Sequence, residues 1–286
     1  MKIAVIQPGC YGDNINSTLM FAPIKAHYED CQLDVYTSTK YHSAFLNNPY
    51  IDNLHQTEAR TKDEALNLVH AVKPEGYDLV INSHPMINKL WSSHNHPELG
   101  ENLVYAWVNT LEANKIPYEL PLKTDLVLTP HEIAQANGFM NRVTKGKGFI
   151  LMECEGESGQ SFWSPDWTHD AILTLSRMGY IVLVSCIQQR QMVMNLQIET
   201  SNKVVWVGSA SIRVVAGIYD HCDGFISVSS GLSNACNTKQ RRPMEHWIEV
   251  VNSLTCSSSA IRSDGKTFWH NNDVNAFCAM LRERFK

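Results

Sequence analysis

Short apolar runs alternate with segments of helical periodicity through the first half of the chain. The apolar runs predict strands at residues 1–7, 32–37, 51–55 and 77–82. The periodic segments predict helices at residues 14–28, 41–48, 62–72 and 101–114. Residues 125–128 predict a last strand, and Thr129 is expected to cap a helix that begins at Pro130. Strands that alternate with helices form parallel sheets with right-handed crossovers, so this order predicts a parallel sheet covered by helices.

The same alternation restarts after a basic, glycine-rich segment at residues 144–148, which predicts a boundary between domains. Beyond it, strands are predicted at 148–154, 180–186, 203–207, 224–228 and 247–251, and helices at 164–178, 189–196, 209–219, 231–237 and 271–285. The chain is therefore predicted to be an α/β protein with two Rossmann-like lobes, residues 1–143 and 148–286, facing each other across a cleft. The terminal helix, 271–285, is free to pack back on the first lobe in this prediction.

The composition is that of a globular protein. Of its 286 residues 44% are hydrophobic and 19% are charged, which excludes a disordered or fibrous chain. The net charge of −5 provides no overall basic field for nucleic acid or an anionic membrane, although local basic patches stay possible. No apolar run approaches membrane-spanning length, and the run at 1–7 is too short for a signal peptide. We therefore expect a soluble, cytoplasmic protein, peripheral at most at the inner membrane face, or in the host cytoplasm if the chain is viral.

The eight cysteines are scattered and form no C-x-x-C pair. This spacing favours reduced, buried thiols over a disulfide framework or a zinc site. Cys10 alone lies in a candidate site loop, and no histidine is obviously paired with it for a nucleophilic role.

The turn after the first strand holds the first candidate for catalysis. Gly9 and Gly12 lie in a tight turn that allows close approach of the backbone to a ligand, and Asp13 precedes the predicted helix. The carboxylate thus lies at the carboxyl edge of the sheet, where open α/β proteins bind ligands. From spacing alone, the simplest role for Asp13 is the N-cap of that helix.

A polar, histidine-rich segment at residues 83–100 follows the strand at 77–82 and interrupts the alternation. Loops at the ligand edge of a sheet carry function. His84, His94 and His96 invite a metal site, but the H-x-H pair without a clear third ligand is a weak signal. Acceptor contacts, or plain surface histidines, are the better interpretations.

Taken together, these residues resemble a known family. The opening MKIAVIQPGCYGDNINSTLMFAPIKAHYED, followed by LDVYTSTKYHSAFLNNPYIDNLH, is similar to the heptosyltransferases that build lipopolysaccharide cores, which are inverting, metal-independent glycosyltransferases of the GT-B fold. The family opens with a strand, glycine-x-x-glycine-aspartate and a helix, here Gly9, Gly12 and Asp13. The resemblance implies that Asp13 is the general base that takes the proton of the acceptor hydroxyl. The expected acceptor contacts are Tyr11, Gly12, Asn14, His84 and His94.

The donor side carries both a resemblance and departures from it. The family's donor signature, aspartate-(serine/threonine)-glycine-x-x-histidine after a strand, aligns with residues 229–234, in which Ser229 replaces the aspartate and Asn234 the histidine. The family lysine that meets the donor phosphate aligns near Ser161. Serine, asparagine and the helix start at Gly231 still offer hydrogen bonds to a diphosphate. The loss of one acidic and two basic or titratable family residues indicates a different donor or weakened donor binding, and a nucleotide sugar other than ADP-heptose is the natural inference. The expected donor contacts are Ser158, Gly159, Gln160, Ser161, Ser229, Ser230, Gly231, Leu232, Ser233, Asn234 and Arg242.

Trp163 and Trp167 lie in an aromatic, proline-containing turn that echoes another family feature. They are expected to pack between the lobes or, less simply, to stack on a nucleobase or sugar.

The resulting prediction is a metal-independent, inverting glycosyltransferase that needs no cofactor and moves a sugar from a nucleotide sugar to a hydroxyl of a glycan or lipid-linked glycan. One alternative is a phage-type enzyme that glycosylates hydroxymethylated bases in duplex DNA, with phosphate contacts from Lys145, Lys147, Arg241 and Arg242. A second is a non-catalytic homologue that binds a nucleotide or glycan, which the lost signature residues motivate. The sugar, the nucleotide and the acceptor stay open.

Overall fold

The computed structural model describes residues 1–84, 95–96, 100–101, 105–120, 122–143, 146–156, 163–250, 266–269 and 273–286. The chain divides into two units. The first comprises Met1–Val127 and Asn237–Gln240, and the second contains the other described residues from Leu128 onward. The predicted contacts Ser158, Gly159, Gln160, Ser161 and His94, and also Lys145, lie outside the described residues.

The first unit contains a four-stranded parallel sheet in the order β3-β2-β1-β4. Its strands are β1 (Lys2–Ile6), β2 (Gln32–Ser38), β3 (Asn53–Thr57) and β4 (Leu79–Asn82), and β5 (Asn95–His96) and β6 (Gly100–Glu101) form a separate antiparallel pair. Its helices are α1 (Tyr11–Ser17), α2 (Phe21–His27), α3 (Lys62–Val72) and α4 (Tyr105–Ala113). The chain passes from β1 outward to β2 and β3 and then crosses to β4 on the other side of β1. The strand order therefore reverses between β1 and β4, which is where open α/β sheets bind ligands.

The sheet of the first unit is buried on both faces, which is why β1 appears in the sequence as a continuous apolar run. Ile3 and Val5 face a core that includes Phe21 and Trp107, from the α2 and α4 side. Alternate positions, such as Ile6, face a second cluster with residues of α3.

The second unit contains a six-stranded parallel sheet in the order β12-β11-β10-β7-β8-β9. Its strands are β7 (Phe149–Glu153), β8 (Ile181–Ser185), β9 (Val204–Trp206), β10 (Gly224–Val228), β11 (His246–Val250) and β12 (Lys266–Trp269). Its helices are α5 (Pro130–Met140), α6 (Pro165–Arg177), α7 (Arg190–Glu199), α8 (Ile212–Tyr219), α9 (Gly231–Cys236) and α10 (Val274–Arg284). Here the strand order reverses between β7 and β10. The α/β class and the two parallel sheets are therefore as predicted.

Two helices belong to the second unit through their packing. Helix α5 packs against α8, where a Cβ on Gly217 would come within 2.9 Å of the Cβ of Ala136. The terminal helix α10 packs against α6, with Phe277 in the core of the second unit. The N-terminal segment of the first unit accordingly ends at Val127, before α5.

Some predicted elements differ from the observed ones. Residues 125–128 are not a strand, because the backbone N–H groups of Asp125 and Leu126 donate to side-chain oxygens of Thr18 (2.7 Å) and Gln240 (3.0 Å) rather than to a neighbouring strand. The predicted helix at 41–48 is a short 3₁₀ helix, His42–Phe45. The predicted last strand, 247–251, is followed by β12.

The predicted helix at 14–28 begins earlier and is interrupted. Helix α1 starts at Tyr11, and a 3₁₀ turn at Thr18–Met20 separates it from α2. The hydroxyls of Ser17 and Thr18 donate to backbone carbonyls three residues earlier, at 2.8 and 2.6 Å. Such bonds to the backbone compete with regular helical geometry.

In the described ranges of the chain, we find no helix with the length and apolar character that a bilayer crossing requires.

Candidate functional site

Asp13 lies in the first turn of α1, directly beyond β1 and beside the reversal in strand order. Cys10 is the N-cap of this helix, and Asp13 is the third helical residue. The Asp13 Oδ2 atom accepts hydrogen bonds from the Cys10 backbone N–H at 3.3 Å and from the Cys10 Sγ at 3.2 Å. The simple N-cap role for Asp13 is therefore wrong, and its carboxylate instead reaches back to the cap residue.

The environment of Asp13 favours the protonated form of its carboxyl group. Burial raises the pKa of Asp13, and the hydrogen bonds from the side chain and backbone of Cys10 offset only part of this effect. The residue is nevertheless half-buried, so part of its surface is exposed to solvent. A carboxylate with a raised pKa is a stronger base, and partial exposure leaves it accessible to a substrate hydroxyl.

Cys10 is suited to hold Asp13 rather than to attack a substrate. Although the residue is exposed, desolvation of its thiol and the negative charge of Asp13 raise the pKa of Cys10 to about 12. The thiol therefore stays protonated at neutral pH and acts as a hydrogen-bond donor to Asp13, because only the thiolate is a strong nucleophile.

Gln7 and Gly9 support the Asp13 loop. Gln7 is fully buried, its Oε1 accepts from the Gly9 N–H at 3.2 Å, and its Nε2 donates to the Ser83 carbonyl at 2.9 Å. These bonds connect the loops that follow β1 and β4. A polar residue at the end of an apolar strand is the one sequence signal that could have identified Gln7.

Gly9 leaves room for the Asp13 carboxylate, so we expect Gly9→Ala to impair activity. A Cβ at this position would lie 2.8 Å from the Asp13 Oδ2 and 2.9 Å from the Gln7 Oε1, which forces at least one of them to move. The family resemblance implies that Asp13 is the general base. A misplaced catalytic group commonly costs about 10–100-fold in rate, so we expect a loss of this size in nucleoside diphosphate release from nucleotide sugars.

The matched control is Gly138→Ala on α5, where a new Cβ would lie at an ordinary 3.8 Å from the Arg142 Nη1. This variant should keep full activity. Equal rates for Gly9→Ala and the wild type would show that the close packing of Gly9 on Asp13 is unimportant.

The predicted acceptor residues differ in what their side chains do. The amide of Asn14 is fully buried and donates to the Thr37 Oγ1 at 2.8 Å and to the Tyr41 carbonyl at 3.3 Å, so it holds α1 against the segment after β2. Tyr11 and Gly12 are buried in the first turn of α1. His84 is buried beyond β4, and burial lowers its pKa, which keeps the imidazole neutral at neutral pH. Contact of these residues with an acceptor stays a prediction.

The predicted donor segment, residues 229–234, follows β10 and leads into α9. The Ser230 N–H donates to the Ser233 Oγ at 3.0 Å, and the Ser233 N–H donates to the Ser230 Oγ at 3.1 Å. The Asn234 Nδ2 donates to the Ser230 carbonyl at 2.9 Å. Only Ser230 and Gly231 are partly exposed, whereas the remaining residues are buried, namely Ser229, Leu232, Ser233 and Asn234.

Glu153, which the sequence did not single out, meets this segment from the end of β7. It is buried, and its Oε2 lies 2.5 Å from the Ser230 Oγ. Burial raises the pKa of Glu153 well above the ordinary value; the bond from Ser230 opposes this shift, and Glu249 and Glu155 reinforce it. Glu153 looks in the sequence like any residue at the end of a strand, so only the fold brings it to the donor segment.

Two of the cations that the sequence suggested for phosphate contact, Arg241 and Lys147, are occupied by partners within the protein. Arg241 is buried and forms an ion pair with Asp220. The Lys147 Nζ donates to the carbonyls of Phe285 and Lys286, at 3.1 and 2.8 Å. The side chain of Arg242 is exposed, while its backbone N–H donates to the Asp220 Oδ1 at 3.3 Å. Two of the four cations named for contact with DNA phosphates are thus committed to bonds within the protein.

Trp163 and Trp167 pack inside the second unit. Trp163 is buried with its ring edge-on to Phe277 at 5.2 Å, and Trp167 stacks on the same ring at 5.4 Å. Both tryptophans therefore contribute to the packing of the second unit through Phe277 of α10, and their expected place between the lobes stays a prediction.

Among the residues that the structure describes, no three histidine, cysteine, aspartate or glutamate side chains come together as a metal site.

Comparison by structure shows that the chain has the fold of solved glycosyltransferases, the GT-B fold. It is similar to a family 9 glycosyltransferase from Veillonella parvula, with a TM-score of 0.71 and 14% identity over 100% of this chain and 90% of that one. It is also similar to the ADP-heptose lipopolysaccharide heptosyltransferase II of Escherichia coli, with a TM-score of 0.67 and 14% identity over 99% and 98% of the two chains.

A third similar structure is the Escherichia coli heptosyltransferase WaaC with ADP, with a TM-score of 0.63 and 12% identity over 99% and 100% of the two chains. No protein-family model and no curated protein matches by sequence. At these identities the similarity establishes the fold. Activity has to be argued from the residues.

Proposed function

We propose that this protein is a glycosyltransferase that moves a sugar from a nucleotide-sugar donor to an acceptor hydroxyl, with inversion and without a metal. The observation that carries the proposal is Asp13: a half-buried carboxylate with a raised pKa, on the loop beyond β1 at the reversal of strand order. This is the position at which an α/β sheet presents groups to a ligand.

Asp13 is assigned the role of general base. Its carboxylate takes the proton of the acceptor hydroxyl as that oxygen attacks C1 of the sugar from the face opposite the leaving group. One bond to C1 forms and the bond to the nucleoside diphosphate breaks, which inverts C1. The protonated Cys10 thiol and the Cys10 N–H hold the carboxylate in place without neutralising it.

The nucleoside diphosphate is assigned to the second unit, at Ser230 and Gly231. These are the two partly exposed residues of the segment after β10, which lies at the second reversal of strand order. Hydroxyl and backbone N–H groups can bind phosphate oxygens without a cation. The exposed Arg242 is the candidate for additional positive charge. The similar Escherichia coli protein was determined with ADP, which supports a nucleotide at this fold.

A thermal-shift assay with ADP, UDP and GDP tests this assignment. A ligand that binds only the folded state at 100 times its Kd stabilises the protein by about 2.7 kcal/mol, which raises Tm by roughly 5–10 °C for a unit of this size. We expect a shift of this order with one of the three diphosphates, and a much smaller one with the matching nucleoside, which lacks phosphates.

Ser230→Ala should reduce the shift in Tm, while Ser185→Ala, at the end of strand β8 in the same sheet, should leave it unchanged. No shift with any diphosphate would contradict the nucleotide site. Nucleotide binding without any release of diphosphate from ADP-, UDP- or GDP-linked sugars would favour a binding protein without turnover. Activity that EDTA abolishes and a divalent cation restores would contradict metal independence.

A further inference from the structure

Glu153, Ser227 and Glu249 form a polar row across the second sheet. Ser227 pairs with Glu249 between β10 and β11, and Glu153 follows Met152, which pairs with Ile226 between β7 and β10. Residues in one row of a parallel sheet face the same side. Two fully or largely buried carboxyl groups therefore lie on one face of the sheet, where α9 begins. Among the described residues that act on the Glu153 carboxyl group there is no cation, and a buried carboxylate without a cation is costly, so Glu153 needs a proton or another partner.

The Ser230 hydroxyl is the group that connects this row to the donor segment. A serine hydroxyl has one proton to donate and two lone pairs to accept with. The Ser233 N–H occupies one lone pair at 3.1 Å. The Ser230 Oγ lies 2.5 Å from the Glu153 Oε2. In this contact the hydroxyl either donates its proton to Glu153 or accepts a proton from Glu153 with its second lone pair.

The protonation of Glu153 decides between these two arrangements. An ionised Glu153 only accepts, so it takes the Ser230 proton and leaves the hydroxyl with nothing to donate. A protonated Glu153 donates its own proton to the Ser230 oxygen. The Ser230 proton is then available to a group outside the protein, and no negative charge lies behind a bound diphosphate.

We propose that Glu153 is a positioning residue that acts through Ser230: in its protonated form it donates to the Ser230 oxygen, so that the Ser230 hydroxyl donates to a phosphate oxygen of the sugar donor. This inference rests on the proposed function, because it assigns the control of phosphate binding at the same segment. Glu153 itself is buried, so in this proposal it acts through Ser230 alone.

The surroundings of Glu153 support the protonated form. The titratable groups that interact electrostatically with Glu153 in the described part of the chain are Glu249 on β11, Glu155 and Cys154 beyond β7, and Cys236 on α9. The two glutamates are acidic neighbours, and burial raises the pKa values of both thiols far enough to keep them neutral. Burial and the two glutamates together raise the pKa of Glu153 well above its usual value. The carboxyl groups of Glu249 and Glu155 are coupled to that of Glu153, so the pH dependence reports the three carboxyl groups together rather than Glu153 alone.

The test is the pH dependence of nucleoside diphosphate binding in the wild type and in Glu153→Gln, measured by calorimetry with the best binder among ADP, UDP and GDP. Wild-type binding should weaken as pH rises through the raised pKa, by about 10–100-fold, the usual worth of a hydrogen bond to a charged group. Glu153→Gln keeps an N–H donor for the Ser230 oxygen at every pH, so its Kd should stay at the low-pH wild-type value. The exposed Glu199→Gln is the matched control and should follow the wild-type curve.

Infrared spectroscopy supplies a readout that needs no ligand. The difference spectrum of wild type minus Glu153→Gln should contain the carbonyl band of a protonated carboxylic acid at neutral pH. Parallel pH curves for the two proteins, or absence of that band while nucleotide still binds, would overturn the role of Glu153 and leave the proposed function intact. Absence of nucleotide binding by the wild type at every pH would instead overturn the proposed function, and the positioning role with it.

Discussion

Asp13→Asn is expected to lower the rate of sugar transfer by about 10²–10⁴-fold, the usual contribution of a general base. The asparagine oxygen can still accept the hydrogen bonds that Cys10 donates to Asp13, so α1 and its loop should fold normally. The amide cannot take a proton from an acceptor hydroxyl. The measurement is nucleoside diphosphate release from ADP-, UDP- and GDP-linked sugars with glycan acceptors present, together with nucleotide binding, which should be unchanged.

Asp63→Asn is the matched control, because Asp63 also lies in the first helical turn of a first-unit helix, but on the exposed start of α3. It should keep the wild-type rate. Equal rates for Asp13→Asn and Asp63→Asn would exclude Asp13 as the base.

The pH dependence of the transfer rate is a second test of Asp13 as the general base. A base must be ionised to act, and burial raises the pKa of Asp13. The rate should therefore fall as pH is lowered through that raised pKa, so the acid limb should lie above the ordinary aspartate value of about 3.9. A profile that stays flat down to the ordinary value would contradict this assignment.

Glu132→Ala is expected to destabilise the second unit by about 3–5 kcal/mol, the usual cost of removing one partner of a buried ion pair. The Arg213 side chain is only 2% exposed, and its Nε lies 2.6 Å and its Nη2 2.9 Å from the two Glu132 oxygens. The substitution leaves the guanidinium buried without this carboxylate. It also removes the acceptor for the Thr129 N–H at 2.7 Å, which caps α5. The measurement is the free energy of unfolding in urea.

Two comparisons sharpen this prediction. The exposed Glu199→Ala should change stability little. The double variant Glu132→Leu with Arg213→Met should recover most of the loss, because it removes both charges together. A single variant as stable as the wild type would show that the α5–α8 pair does not depend on this bond.

The same ion pair makes stability depend on pH. Burial alone would raise the pKa of Glu132, but the hydrogen bonds and charge of Arg213 and the bond from Thr129 outweigh it, and the pKa is lowered. A lowered folded-state pKa stabilises the protein above the ordinary glutamate value and loses that contribution as pH falls through the folded-state value. Glu132→Gln should remove this part of the acid dependence.

Much of the fold could be predicted because it follows from local periodicity. The run MKIAVIQ and the alternation around it predict β1 and a parallel sheet, and Ser164 before Pro165 predicts the start of α6. Residues 125–128 have strand-like composition but no neighbouring strand to pair with, so the same local rule fails there. Pairing partners are a property of the whole sheet.

Some residues of the candidate site could likewise be predicted from the sequence, and others could not. Asp13 could be found because glycine, aspartate and a helix start are contiguous in the chain. The roles of Gln7 and Glu153 could not, although Gln7 is noticeable as a polar residue at the end of an apolar strand. Each acts on a residue brought near by the sheet: Gln7 on the Ser83 carbonyl and Glu153 on the Ser230 hydroxyl. The separations are 76 and 77 positions.

By itself, the sequence determined the α/β class, the strand–turn–helix that carries Asp13, and the segment after β10, because each depends on residues that are neighbours in the chain. The tertiary structure alone decided that Cys10 rather than Asp13 caps α1, that the tryptophans pack on α10, and that a buried glutamate lies behind Ser230. The physical reason is that desolvation and proton sharing depend on which groups become neighbours on folding, and a pattern of hydrophobic and polar positions does not specify those neighbours.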